Sequence, residues 1–300
     1  MILKQLKERY RSVNQFSGGR LDILKNALGT FSKTRASQAA ASLAYYAIFS
    51  LFPLLLVLIV GGSYFLNSEQ VYQDVTQLVQ EVTPISTRVI DENLRQVLNV
   101  RGTVGIIGLL TLLWSASGVF TNLAYNINLA WPGAPRRNFL EKRLVGLGMI
   151  AGLSVLLVLS LLLDWITNLI PFLNVDGASA STLSLWRLFS NLGSWLTIFL
   201  LFLALYRWVP TANVHWTATF WGALTASIAW KVATASFSWY LKSGLGRYQL
   251  VYGSLGAIVA LLFLIFIVSM ITLFGAHLSA AIDRWTKEKS SRVSEQGKIL

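Results

Sequence analysis

Six long apolar stretches constrain this 300-residue chain more than any other feature, running roughly Ala39–Leu66, Gly102–Tyr125, Leu144–Thr167, Trp186–Trp208, Trp216–Tyr240 and Leu250–Ile282. Each reaches the ~20 residues that an α-helix needs to cross a hydrocarbon core about 30 Å thick. The pattern predicts an all-α integral membrane protein, a bundle of six transmembrane helices. A composition of 54% hydrophobic and only 13% charged residues fits a chain whose outer solvent is lipid. Six spans leave no room for a separate soluble domain. The leader before the first stretch is too polar for a signal-peptide core, and that stretch is long enough to stay as an anchor. With no cysteine in the chain, disulfides, thiolate catalysis and cysteine metal sites are excluded.

A net charge of +12 invites a nucleic-acid reading, so the distribution of charge has to decide. Of the 25 lysines and arginines, 18 fall in the leader, the second and fourth gaps and the tail, while six fall in the alternate gaps. That bias is the positive-inside signature, and it predicts that both termini are cytoplasmic. Anionic lipid beside those segments explains the same charges, so no specific nucleic-acid partner is expected.

The expected organisation is a cytoplasmic amphipathic leader over 1–38, a six-helix membrane domain over 39–285 and a disordered cytoplasmic tail over 286–300. In the leader, Leu3, Leu6, Tyr10 and Val13, then Leu21, Leu24, Leu28 and Phe31, form two apolar stripes at helical spacing. They predict two short helices on the inner leaflet, or a docking surface for a soluble partner. The first external segment, about 67–101, is too long for a turn. Its stripes Val71, Val75, Leu78, Val82 and Ile90, Leu94, Val97 predict a helical lid. Tryptophans including Trp131, Trp208 and Trp216 fall at depths suited to an interfacial belt. Gly102 and Gly105 recur as Gly253 and Gly256, each pair opening a span, which predicts close helix packing at both places.

Four ordered motifs carry a resemblance. They are Ala41-Ser42-Leu43-Ala44-Tyr45-Tyr46 with Ser50-Leu51-Phe52-Pro53, then Leu113-Trp114-Ser115-Ala116-Ser117, then Tyr206-Arg207-Trp208-Val209-Pro210, and Tyr252-Gly253-Ser254-Leu255-Gly256-Ala257. Together with Gly275-Ala276 they make the chain resemble the YihY/BrkB family of bacterial inner-membrane proteins, across nearly the whole membrane region. The resemblance implies six helices with both ends inside and a place in the bacterial inner membrane. Members have been labelled a tRNA-processing ribonuclease, and some are linked to serum resistance or envelope lipid export, but no catalytic residue comes with those labels. His277 departs from the acidic or amide residue that relatives often carry after the Gly-Ala pair.

The residues themselves offer no active site. A ribonuclease needs clustered metal-binding carboxylates and histidines, or an acid–base pair. The two histidines, His215 and His277, and the scattered cytoplasmic acids show no such spacing, and no Walker or Gly-x-Ser-x-Gly motif occurs. No catalytic residue, cofactor or metal is therefore expected. Lys231 is the strongest pointer, about ten residues inside the fifth stretch and so roughly 15 Å deep. A lysine at that depth costs ~2.5–3.5 kcal/mol on insertion scales, and the expectation is that it faces the bundle interior. Asp164, near the outer end of the third stretch, is its candidate counter-charge, in a pathway or an ion pair. Pro53 interrupts the first stretch and frees a carbonyl one turn earlier, near Phe49, which Ser50 is placed to satisfy; a static kink and a hinge are both open. The leading expectation is a transporter or flippase-like protein for an anionic or lipidic envelope substrate, in contact with membrane lipids. A non-transporting scaffold for envelope partners is the alternative, and a membrane-associated ribonuclease the third.

Overall fold

The computed structural model describes residues 20–65, 101–135, 137–172, 180–242 and 255–296; side-chain surroundings at 51–65, 101–112, 115–116, 156–192, 194, 241–242, 255, 257 and 293–296 fall outside the described set. Among the described residues all regular structure is helical: α1 (Arg20–Lys33), α2 (Ala36–Phe65), α3 (Arg101–Asn128), α4 (Phe139–Phe172), α5 (Ala180–Trp208), α6 (Trp216–Lys242) and α7 (Leu255–Gln296). Helices α2 to α7 fall on the six apolar stretches. The shortest, α6, has 27 residues and the longest, α7, has 42. At 1.5 Å per residue even α6 extends about 40 Å. Among the described residues one segment, Ile258–Arg292, is long and apolar enough by length and composition to cross a membrane.

Local chemistry sets the helix ends. Asn138 and Glu141 open α4 as a capping box, the Glu141 carboxylate accepting from the Asn138 amide at 3.0 Å. Pro210 follows the end of α5 by two residues, where a proline cannot continue a helix. Between α1 and α2 the chain turns at Arg35, a non-glycine residue at φ +53°. Between α3 and α4 it turns through Pro132 and Gly133, the latter at φ +90°, which glycine adopts without penalty.

The six long helices pack as a ring in chain order, α2 on α3, α3 on α4, and so on, closed by α7 against α2; α4 against α5 is its sparest seam. α7 also touches α1, α3 and α5, so it is the hub of the bundle. Small residues let α7 approach its neighbours closely. A Cβ at Gly222 of α6 would come within 2.7 Å of the Ser279 Cβ, and one at Gly275 would collide with the Tyr206 hydroxyl. Gly146 holds α4 against the Ser117 carbonyl of α3 in the same way, at 2.9 Å for a Cβ placed there. These contacts are what small residues provide where hydrophobic driving force between helices is weak. Of the four glycines expected to do this, Gly256 is buried, while the surroundings of Gly102, Gly105 and Gly253 lie outside the described residues.

Several expectations change. α2 continues unbroken through Pro53, and the Ser50 hydroxyl donates to the Ala47 carbonyl at 3.1 Å rather than to the one a proline frees. The tail is helical through Gln296 instead of disordered from 286, because α7 runs on past its apolar part. α1 does not simply lie on a leaflet. Ala27 is fully buried, Phe31 meets Phe274 and His277 edge to face, and Thr34 Oγ1 lies 3.1 Å from His277 Nε2. Leu24 and Leu28 remain exposed on its other side, so the helix presents one face to α7 and keeps two leucines of its apolar stripe free. The first leader stripe and the expected lid lie outside the described residues.

Candidate functional site: a cleft at the loop end of the bundle

Three segments converge at the end of the bundle where α3 passes to α4 and α5 to α6: the loop after α3, the loop after α5, and the face of α7 carrying Asp283, Arg284 and Lys287. Hydrogen bonds from side chains to main chain pin the loops together. Asn128 Oδ1 accepts from both the amide and the hydroxyl of Thr211, each at 2.9 Å. Arg137 donates to the Val209 carbonyl at 2.7 Å, and Arg207 to the Val214 carbonyl at 3.1 Å while lying over the Trp216 ring. Partial burial pulls the Arg137 guanidinium below its ordinary pKa, and the charge of Glu141 works against that.

Asp283 organises the floor of this region. Its side chain is 1% exposed. Oδ1 accepts from the His215 amide at 3.0 Å and lies 2.8 Å from His215 Nδ1, while Oδ2 accepts from Lys287 at 2.7 Å. His215 immediately precedes α6, and its carbonyl accepts from the Thr219 amide, so Asp283 caps the start of α6 from another helix. Lys287 also donates to the Asn213 carbonyl at 2.9 Å. Arg284 donates through Nη1 to the Ala130 carbonyl at 3.1 Å, beyond the end of α3. Between these groups opens a cleft of about 390 Å³, lined by Trp131, Gly133 and Pro135 on one side, Thr211 and Asn213 on another, and the three charged residues of α7. Trp131 is 6% exposed and packs into this loop structure, whereas Trp208 and Trp216 are exposed.

The expected pathway residues stand elsewhere. Lys231 is exposed, and no described carboxylate pairs with it. The packed stripe of α6 runs through Thr219, Gly222, Ala223, Ala226 and Ser227, and Lys231 falls beyond its edge. Asp164 lies on α4 among residues whose side chains are outside the described set. The sequence reading treated His215 and Asp283 as scattered; the fold brings them into contact. No signal in the sequence linked them, because the pairing depends on where α7 crosses the start of α6. Among the described residues no group of three histidine, cysteine, aspartate or glutamate side chains could hold a metal ion.

The resemblance motifs have structural roles around the same hub. Tyr206 is fully buried, donates to the Thr272 carbonyl at 2.8 Å and covers Gly275, so the Tyr-Arg-Trp-Val-Pro and Gly-Ala motifs interlock. Arg143 of α4 donates to Ser117 Oγ at 2.9 Å and to the Trp114 carbonyl at 3.1 Å, and lies over the Trp114 ring, fixing the Leu-Trp-Ser-Ala-Ser motif of α3.

Comparison with known proteins gives a consistent result. The profile of the family described as "Virulence factor BrkB" matches residues 27–299. YfkH of Bacillus subtilis (strain 168), a protein named only as ribonuclease-like, is 27% identical over 89% of this chain and 97% of its own length. A UPF0761 membrane protein of Vibrio atlanticus (strain LGP32) is 23% identical over 98% of this chain and 96% of its own. Another, from Vibrio parahaemolyticus serotype O3:K6, is 26% identical over 95% and 91%. No solved structure matches. With the family profile covering all but the first 26 residues and the last one, and with relatives named as membrane proteins, the chain belongs to the BrkB family of membrane proteins.

Proposed function

We propose that this chain is a six-span protein of the bacterial inner membrane, with both termini cytoplasmic, that moves an anionic or lipidic envelope substrate as a transporter or flippase-like protein. The observation that carries this reading is the cleft at the loop end of the bundle. Its one carboxylate, Asp283, is engaged on both oxygens, and Arg284 makes no direct ion pair with a described carboxylate, while the charges of Asp283 and Glu288 act on it from further away. A cleft lined by two cations and one acid that is engaged on both oxygens suits an anion. The charge bias places that end at the cytoplasmic face, beside the inner leaflet. No nucleotide-binding motif is present, so movement draws on an ion gradient, a partner or the substrate's own gradient. No catalytic step is assigned.

A second reading, a scaffold for envelope partners, is favoured by a different observation. Tyr45, Tyr46 and Phe49, within the first resemblance motif, form an exposed run of ring contacts on α2.

The test is a flipping assay on the full chain in vesicles containing headgroup-labelled phosphatidylglycerol, read by chemical quenching of the outer leaflet. Transport predicts a second, protein-dependent quenching phase that is reduced by Arg284→Gln. Quenching that stops at the outer-leaflet fraction, with correctly inserted protein, removes the transport reading and leaves the scaffold.

A further inference from the structure

We infer that the cleft between the loop after α3, the loop after α5 and α7 is a binding site for a phosphoryl group, with Arg284 and Trp131 as its specific donors. Among the described residues three buried side-chain polar atoms lack any hydrogen-bond partner: Trp131 Nε1, Arg284 Nη2 and Ser279 Oγ. The first two belong to residues lining this one cleft, and both atoms only donate. Leaving a buried donor unmade costs about 1–3 kcal/mol, and more for a charged group, so two on one cleft is a costly arrangement for a site that stays empty.

Several of the nearby acceptors already receive a hydrogen bond. The Ala130 carbonyl accepts from Arg284 Nη1, the Asn213 carbonyl from Lys287, and Asp283 from His215 and Lys287. What remains to be satisfied is a guanidinium nitrogen and an indole N–H beside a lysine, which is a demand for a charged acceptor with several oxygens. A phosphoryl group meets it, because a guanidinium fork matches two of its oxygens and leaves a third for the indole. The cleft volume, about 390 Å³, lies in the range of small-ligand sites. Both donors belong to residues that line the cleft, and Arg284 is the less buried of the two.

The group has two possible sources, a lipid headgroup and a free phosphate ester, and the position suits both. Arg284 follows the apolar stretch that ends at Ile282 by two residues, and the cleft opens between loops. This inference rests on reading the cleft as the substrate's place, but it concerns binding alone and is tested apart from movement.

The experiment uses the purified full chain in a non-ionic detergent without phosphate. One arm titrates inorganic phosphate and glycerol 3-phosphate by calorimetry; the other passes the chain through nanodiscs of mixed phosphatidylglycerol and phosphatidylcholine and reads retained lipid by native mass spectrometry. Trp131→Phe keeps the ring and removes the N–H, and Arg284→Gln removes the charge. Saturable binding in either arm is expected, weakened about tenfold by Trp131→Phe, abolished by Arg284→Gln and unchanged by Lys289→Gln, which lies outside the cleft. The arm that responds identifies the source. Absence of saturable binding in both arms overturns the inference, as does binding that Trp131→Phe leaves at wild-type strength in a folded protein. Binding that meets these expectations without flipping in vesicles removes the transport reading and keeps the site.

Discussion

The carboxylate of Asp283, 68 residues after His215 in sequence, accepts from both the main-chain amide and the ring of that histidine, at 3.0 and 2.8 Å. One buried side chain thus closes the start of α6 and fixes the preceding loop, and Lys287 completes its coordination from the next turn of α7. The arrangement is asymmetric. Asp283→Ala leaves the His215 amide without its acceptor, a loss of about 1–3 kcal/mol. Lys287→Met removes a half-exposed ion-pair partner, a kind of pair that contributes about 1 kcal/mol or less, together with one hydrogen bond to the Asn213 carbonyl. Thermal unfolding in detergent should therefore show a clear drop for Asp283→Ala and a small one for Lys287→Met; equal drops would mean that the ion pair, not the cap, holds this end together.

The same pair bears on the ribonuclease-like name of one relative. A carboxylate orienting an imidazole is a geometry that general bases use. Here the carboxylate is occupied by a helix cap and a lysine, and no described metal cluster stands nearby. Purified protein is expected not to cleave tRNA above a mock preparation. Robust cleavage lost in His215→Ala would reverse this and make the pair catalytic.

Close packing against the hub separates the glycines into two groups. Gly275→Ala forces a methyl onto the Tyr206 hydroxyl and to 2.9 Å from the Ala226 Cβ, an overpacking worth about 1–3 kcal/mol. Gly148 has nothing within 4 Å of such a methyl, so Gly148→Ala should be neutral or favourable by up to about 1 kcal/mol through helix propensity. Melting temperatures of the two variants should move in opposite directions or differ by several degrees.

α1 is held to α7 by a short list of contacts centred on His277, whose Nε2 lies 3.1 Å from Thr34 Oγ1 and Nδ1 3.3 Å from Thr30 Oγ1. His277→Ala removes both contacts and the edge of Phe31. Hydrogen exchange over residues 20–33 should speed up in that variant while the rest of the bundle keeps its protection. Unchanged exchange there would show that Ala27 and Phe31 packing alone retains the helix.

Much of the architecture was legible in the sequence because hydropathy reports it directly. α2 to α7 lie on the six apolar stretches, and Pro210 and Pro132-Gly133 mark where α5 and α3 give way to loops. Side-chain azimuth was less legible. The packed face of α6 is set by its small residues, which a hydropathy reading does not single out, and Lys231 lies beyond the edge of that face. The cleft was invisible for another reason. Its parts come from three segments that hydropathy treats as loops and tail, and Asp283, Arg284 and Lys287 read as ordinary cytoplasmic charges until α7 is seen to continue as a helix past Ile282. His277 reads in the sequence as a departure from relatives and as one of two histidines without an active-site spacing; the fold gives it α1 as its partner.

Orientation rests on the split of 18 basic residues to six between alternate gaps, and it is open to a direct test because the chain has no cysteine of its own. Single cysteines at Ser12 and Ser291 should resist a membrane-impermeant thiol reagent in intact cells and react after permeabilisation, while one at Ser179 should react in both. Ser291 is the most informative position. It lies on α7 two turns beyond Arg284, so protection there puts the cleft at the cytoplasmic end together with the C-terminus. The same result excludes an odd number of crossings when Ser12 is also protected. Labelling at Ser291 in intact cells would place the cleft outside, separate it from the inner leaflet, and with it remove the cytoplasmic supply of substrate that the transport reading uses.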